Sequence, residues 1–223
     1  VTALNEARRV AETAVARVGK PCHGIVTAVD PVNHAVKVLV QPDNTESGWL
    51  PVSTIAAGSI RICRVPDVNE HVTLLAMEGD AEHLAVVAAQ FDAVVMPPVS
   101  PATGQPAQPG ELLIRTGCGQ PPALGDQTDG TADSQASWWH ITQDAIYSGV
   151  GETAETMTAN GLTWKAGDCT ASLTSSGFAV TGGNITTDKT VTGDADVKTG
   201  EHSLNGHVHT NGNDGGNTGG PVG

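Results

Sequence analysis

Hydrophobic residues recur at helical spacing only near the start of the chain. Leu4, Ala7, Ala11, Ala14 and Val18 stand three and four residues apart, with Val10 and Val15 beside them. Glu6, Arg8, Arg9, Glu12 and Arg17 fill the remaining positions. This spacing predicts a helix over 4–18, which Gly19, Lys20 and Pro21 end. The stripe is rich in alanine and therefore shallow. It suits packing on a neighbouring domain or on copies of itself, with a solvated surface helix as the plain alternative.

A period of two takes over after Cys22. In 23–30, Ile25, Thr27 and Val29 alternate with Val26 and Ala28, and Asp30-Pro31-Val32-Asn33 signals a turn. In 34–40, Val36, Val38 and Val40 are set against Ala35, Lys37 and Leu39. A polar loop over 41–48 leads to an edge-like Trp49-Leu50-Pro51-Val52. Further strands are predicted at 59–65, 71–77 and 84–91, with a strong turn at Glu78-Gly79-Asp80. Short strands joined by tight turns predict a small antiparallel barrel or sandwich, and closure would protect its edges.

From 97 to 110 the apolar pattern stops. Five prolines there predict a stiff, extended linker. Glu111–Thr116 is again strand-like, and 117–137 is loop-like. Trp138-Trp139 reads as an anchor, because two large rings need burial. Beyond Ile146 the segments are short, Thr-rich and punctuated by Gly at uneven intervals. Residues 151–200 contain 12 threonines, and threonine favours extended chain. Leu162, Trp164, Leu173, Phe178, Val180, Ile185, Val191 and Val197 are too few to give these strands a core of their own. An oligomer sharing one apolar axis is the expectation; a monomeric solenoid and a partly disordered stalk are the competing readings.

Composition narrows the chemistry. The 223 residues carry a formal charge of -13, with 11 Lys and Arg against 24 Asp and Glu. No basic cluster exists to neutralise phosphates, so nucleic acid is not an expected partner. Cys22, Cys63, Cys118 and Cys169 are widely spaced with no CxxC, which suits isolated thiols better than a disulfide framework. No apolar run approaches the ~20 residues of a membrane span, and no leader sequence is seen. The end of the chain, HSLNGHVHTNGNDGGNTGGPVG, holds His207 and His209 at i,i+2, which puts two imidazoles on one face of a strand. Two ligands are too few for a tight metal site, so the rest must come from elsewhere in the chain or from other copies. If both histidines face inward, Val208 faces out.

Several of these segments resemble one known family. GIVTAVDPVNHAVKVLV, WLPV, VPDVNEHVTLLAMEGD and the terminal GEHSLNGHVHTNGNDGGNTGGPV are similar to the central baseplate spike, or baseplate assembly protein V, of Mu-like contractile-tailed phages. The resemblance implies a mainly β protein. An N-terminal helix (1–20) would precede an OB-fold barrel (21–96). A Pro-rich linker (97–110), an intertwined triple-stranded β-helix shaft (111–200) and a tip (201–223) would follow. It implies a homotrimer in the tail baseplate of the virion, assembled in the host cytoplasm. The trimer would contact other baseplate and tail-tube proteins and pierce the host outer membrane when the sheath contracts. It further implies one iron ion per trimer, held by His207 and His209 of three chains, and leaves other ions open. Six imidazole nitrogens would suit an octahedral first-row metal and leave no open position for catalysis. His202 has no counterpart among the ligands.

Two rival functions make demands of their own on the sequence. A trimeric tail fibre or adhesin binding host glycan would need an aromatic platform near the tip, and the residues from His202 onward contain no Phe, Tyr or Trp. A polysaccharide- or peptidoglycan-degrading β-helix enzyme would need a fixed carboxylate pair. Asp126, Asp129, Asp133 and Asp144 form no such motif. The expectation is a structural protein without a small-molecule substrate.

Overall fold

Alternating valines build the first sheet of the structure, a computed structural model that describes residues 2–80, 82–123, 126–127, 130–200 and 202–203, without the side chains of Ala16 and Arg17. The chain divides after Thr181 into two compact units.

The first unit begins with α1 (Ala3–Arg17). Leu4, Val10, Val15 and Val18 are all more than half exposed. What fixes the helix is its C-terminal end. The Gly19 N–H donates to the Gly79 carbonyl at 2.7 Å, and Val18 bridges Asp80.

The strands that follow are β1 (Cys22–Asp30), β2 (Ala35–Val40), β3 (Thr45–Glu46), β4 (Leu50–Pro51), β5 (His71–Ala76) and β6 (Leu84–Ala89). They pair antiparallel in the order β3-β2-β1-β5-β6, with β4 also on β2. Val26, Val36, Val38, Leu50, Val72, Leu74 and Val86 fill the core. Gly24 lies against this core because a Cβ there would collide with the Val38 side chain. Around it, Arg64 pairs with the buried Glu70 and holds the 53–65 segment down.

The expected closed barrel is corrected by this pairing. No ladder joins β6 back to β4. The gap is crossed only by the isolated bridge Val52↔Val86 and the Ser53 N–H to Val86 carbonyl bond of 2.8 Å. The physical reason lies in β4. β4 has two residues, one of them Pro51 with no N–H to donate. The strand expected at 59–65 does not form. That segment is irregular and leaves Ile60 and Ile62 in solvent.

The second sheet holds β7 (Leu112–Arg115), β8 (Ser137–Ile141), β9 (Ala145–Val150), β10 (Thr153–Thr158), β11 (Gly161–Ala166), β12 (Cys169–Thr174) and β13 (Gly177–Thr181). Each pairs antiparallel with its neighbour in sequence, which makes a seven-stranded meander. The expected intertwined triple-stranded β-helix is therefore corrected too. Every ladder here is made within one chain, and from β8 onward by short hairpins. Strand starts at 145, 153, 161, 169 and 177 recur every eight residues: a strand, then a two-residue turn. Gly151 and Gly167 take positive φ in two of these turns.

The second unit shows one small hairpin among its described residues, β14 (Lys198–Thr199) with β15 (His202–Ser203). His202 is exposed. His207, Val208 and His209 lie outside the described residues. All four cysteines are free thiols.

Candidate functional site

Directly opposed residues in a sheet share a face, and so do residues two apart along a strand. Applied to the meander, this rule sorts its side chains sharply. One rung reads Leu112, Ile141, Ile146, Met157, Leu162, Leu173 and Phe178, apolar on all seven strands. The next rung on the same face reads Ile114, Trp139, Ser148, Glu155, Trp164, Ala171 and Val180. The nine large apolar side chains of this sheet most open to solvent are Leu112, Ile114, Trp139, Ile146, Val150, Met157, Trp164, Leu173 and Phe178. They range from 39% to 58% exposed, and all nine lie on this one face. A single chain leaves them wet.

The other face is different. Along β10–β13 it carries Thr156, Thr158, Thr163, Lys165, Thr170, Ser172, Thr174 and Thr181. At β8 it carries His140, which is fully buried. The tryptophan pair is thereby split. Trp138 packs over Gly149, where a Cβ would sit 2.8 Å from the indole nitrogen, while Trp139 points to the apolar face. Glu155 is the one charged side chain of the apolar face, and the Ser148 hydroxyl donates to it at 3.4 Å. Such a face offers no convergent chemistry. It offers area to bury.

His140 closes a buried polar bridge that sequence reasoning missed. Its Nδ1 lies 2.8 Å from the Ser100 hydroxyl and its Nε2 lies 3.1 Å from Glu111 Oε2. The same carboxylate oxygen accepts the Gln108 N–H at 2.8 Å, and the Ser100 hydroxyl accepts the Ala102 N–H at 3.2 Å. In the neutral ring, Nε2–H donates to Glu111 and Nδ1 accepts from Ser100. The trio has the residue types of a hydrolase triad, but Ser100 is 0% exposed and no substrate reaches it. Its work is to pin the Pro-rich segment to β8. No motif in the sequence links positions 100, 111 and 140; only the buried register of β8 brings them together.

The Gln108 N–H, with help from His140, holds the Glu111 carboxyl below the usual carboxylate range against the opposing effect of desolvation. A depressed value in the folded state means stability that is present above the unfolded value and lost as pH falls through the folded one. The wild type is therefore expected to lose part of its thermal stability on acidification below about pH 4, where carboxylates titrate. Glu111→Gln should lose less over the same window while melting lower at neutral pH. Parallel melting curves in a pH series check this; identical slopes for the two proteins would refute it.

The iron expectation is corrected. Among the described residues no group of three or more His, Cys, Asp or Glu side chains could hold a metal ion. Asp126, Asp133 and Asp144 are exposed, and Asp133 serves as a turn acceptor for the Gln135 N–H at 2.7 Å. Asp129 lies outside the described residues. Among the described residues no helix is long and apolar enough to cross a membrane.

Comparison with known families bears on the first sheet alone. Residues 22–91 match the Type VI secretion system/phage-baseplate injector OB domain. The match begins at β1, ends just past β6 and stops before the meander. It makes the first sheet a domain of the baseplate protein V kind. No curated protein matches the chain significantly.

Proposed function

We propose that the chain is a non-enzymatic structural part of a contractile injection baseplate. The injector domain at 22–91 seats it among baseplate and tail-tube proteins. The meander over 112–181 is the load-bearing arm. Three copies bury their apolar sheet faces against one another, and the assembly is driven at the host outer membrane when the tail contracts. The observation that carries this reading is the coupling, in one chain, of an injector-family domain to a sheet whose large exposed apolar side chains all share one face. A surface that wide and that free of charge favours a permanent partner. Antiparallel ladders satisfied along seven strands also suit axial load, because few backbone groups are left to fray.

A glycan-binding reading draws on Trp139 and Trp164, which flank Ser148 and Glu155 on the same rung. The unbroken apolar rung beside them favours burial instead.

The test is mass and place together. Sedimentation of the purified chain should give three times the chain mass, and antibody labelling of contractile particles should mark the baseplate. A monomer with saturable binding to host glycan, or particles without label, would overturn the proposal.

A further inference from the structure

The apolar stripe of α1 is a further exposed surface, and its register says what covers it. Leu4, Ala7, Ala11, Ala14 and Val18 fall at positions a and d of a heptad. Asn5, Glu6, Arg9, Glu12 and Thr13 then occupy the outward b, c and f positions. Val10 becomes g and Val15 becomes e. In a parallel, in-register coil, g of one helix meets the e five residues later on its neighbour, so Val10 meets Val15. This single shift turns two isolated exposed valines, 61% and 63% open, into one contact. An antiparallel pairing sets g on g and e on e, and the contact is lost.

Charge points to the same occupant. Arg8 Nε bonds Glu12 at 2.9 Å and Arg9 bonds Glu6 at 3.2 Å within the helix. These four charges are thus matched within the helix. Residues 1–20 hold four basic and two acidic side chains, in a chain of net charge -13. The acidic excess of the chain therefore lies outside this segment. The base of the helix is also held at a fixed point in each copy, through Gly19 to Gly79. Rotation about an axis along the helices keeps them parallel.

We infer that α1 forms a parallel, in-register coiled coil with α1 of neighbouring copies, Val10 of one chain packing on Val15 of the next. The inference rests on the reading of the chain as an assembly of identical copies.

The test uses the full chain with its exposed thiols removed (Cys63→Ser, Cys118→Ser). Val10→Cys with Val15→Cys is oxidised mildly and run without reductant, beside Glu12→Cys as the outward control. Within one helix the two engineered thiols are too far apart to join, so a covalent ladder reports contact between chains. The expected yield is roughly tenfold above the control, since disulfides need Cα atoms within about 7 Å. Sedimentation of the same samples separates the two failures. A monomer overturns the assembly itself. A trimer that gives no ladder, or one in which Glu12→Cys links equally well, leaves the assembly standing and overturns the helix pairing.

Discussion

Leu162→Asp will leave the chain folded and unable to assemble. Leu162 sits on β11, beside the centre of the apolar rung, between Met157 and Leu173. In one chain this side chain is half-buried on an open face, so a carboxylate there can reach water and folding loses about 1–3 kcal/mol. Against the same face of another copy the carboxylate has no cation to meet. Glu155 is the face's only other charge, and it has the same sign. Burying an unpaired charge costs about 3–5 kcal/mol, so association should weaken by at least ~100-fold. Thr163→Asp is the matching control, one residue away on the opposite face. It should fold and assemble like the wild type. Sedimentation measures the assembly, and thermal melting confirms that both variants fold. If Leu162→Asp assembles normally, the apolar face is not where the copies meet.

Several features of this molecule are legible in the sequence because they are local. Val36 and Val38 alternate with Ala35 and Lys37, and the structure buries the valines as a period of two requires. The stripe of α1 is likewise written in the spacing of five residues. Barrel closure is not local. It needs β4 to reach β6, and Pro51, with the irregular turn after it, prevents a ladder that no alternation rule would have refused. The strand expected over 59–65 failed for a related reason. Alternation states what a segment can pair as, not whether a partner edge is within reach.

The meander is the instructive miss. Its glycines looked uneven because the turns use different residues: Gly151-Glu152, Ala159-Asn160, Gly167-Asp168 and Ser175-Ser176. The strand length is what repeats. An eight-residue period makes each hairpin reverse direction after six residues and returns the same face to the same side. Leu162 and Leu173, eleven apart in sequence, therefore stand directly opposed. On that period the apolar residues of the meander fall on one rung, whereas the bridge between Ser100, Glu111 and His140 follows no period at all. Proline content predicted an extended segment over 97–110, and nothing in composition shows that its serine is sealed against a strand 40 residues later.

His140→Ala should therefore be the most damaging single change in the second sheet. The ring is fully buried, and its removal leaves a cavity between β8 and the Pro-rich segment. It also leaves the Ser100 hydroxyl without one partner and exposes the loss at Glu111, whose remaining bond is the one from Gln108. Cavity formation at an aromatic-sized site and the unpaired hydroxyl together predict about 3–5 kcal/mol of destabilisation. For a chain of this length that is a fall in melting temperature of roughly 6–20 °C. Ser100→Ala, which keeps the ring and its bond to Glu111, should cost about 1–3 kcal/mol. The damage should also be placed. Amide exchange is expected to quicken in 99–111 and in β8, while β1, β2 and β5 keep their protection, since Val26, Val38 and Leu74 pack in a separate core. Exchange unchanged in 99–111 would show that the histidine bridge does not hold the segment, whatever the melting temperature did.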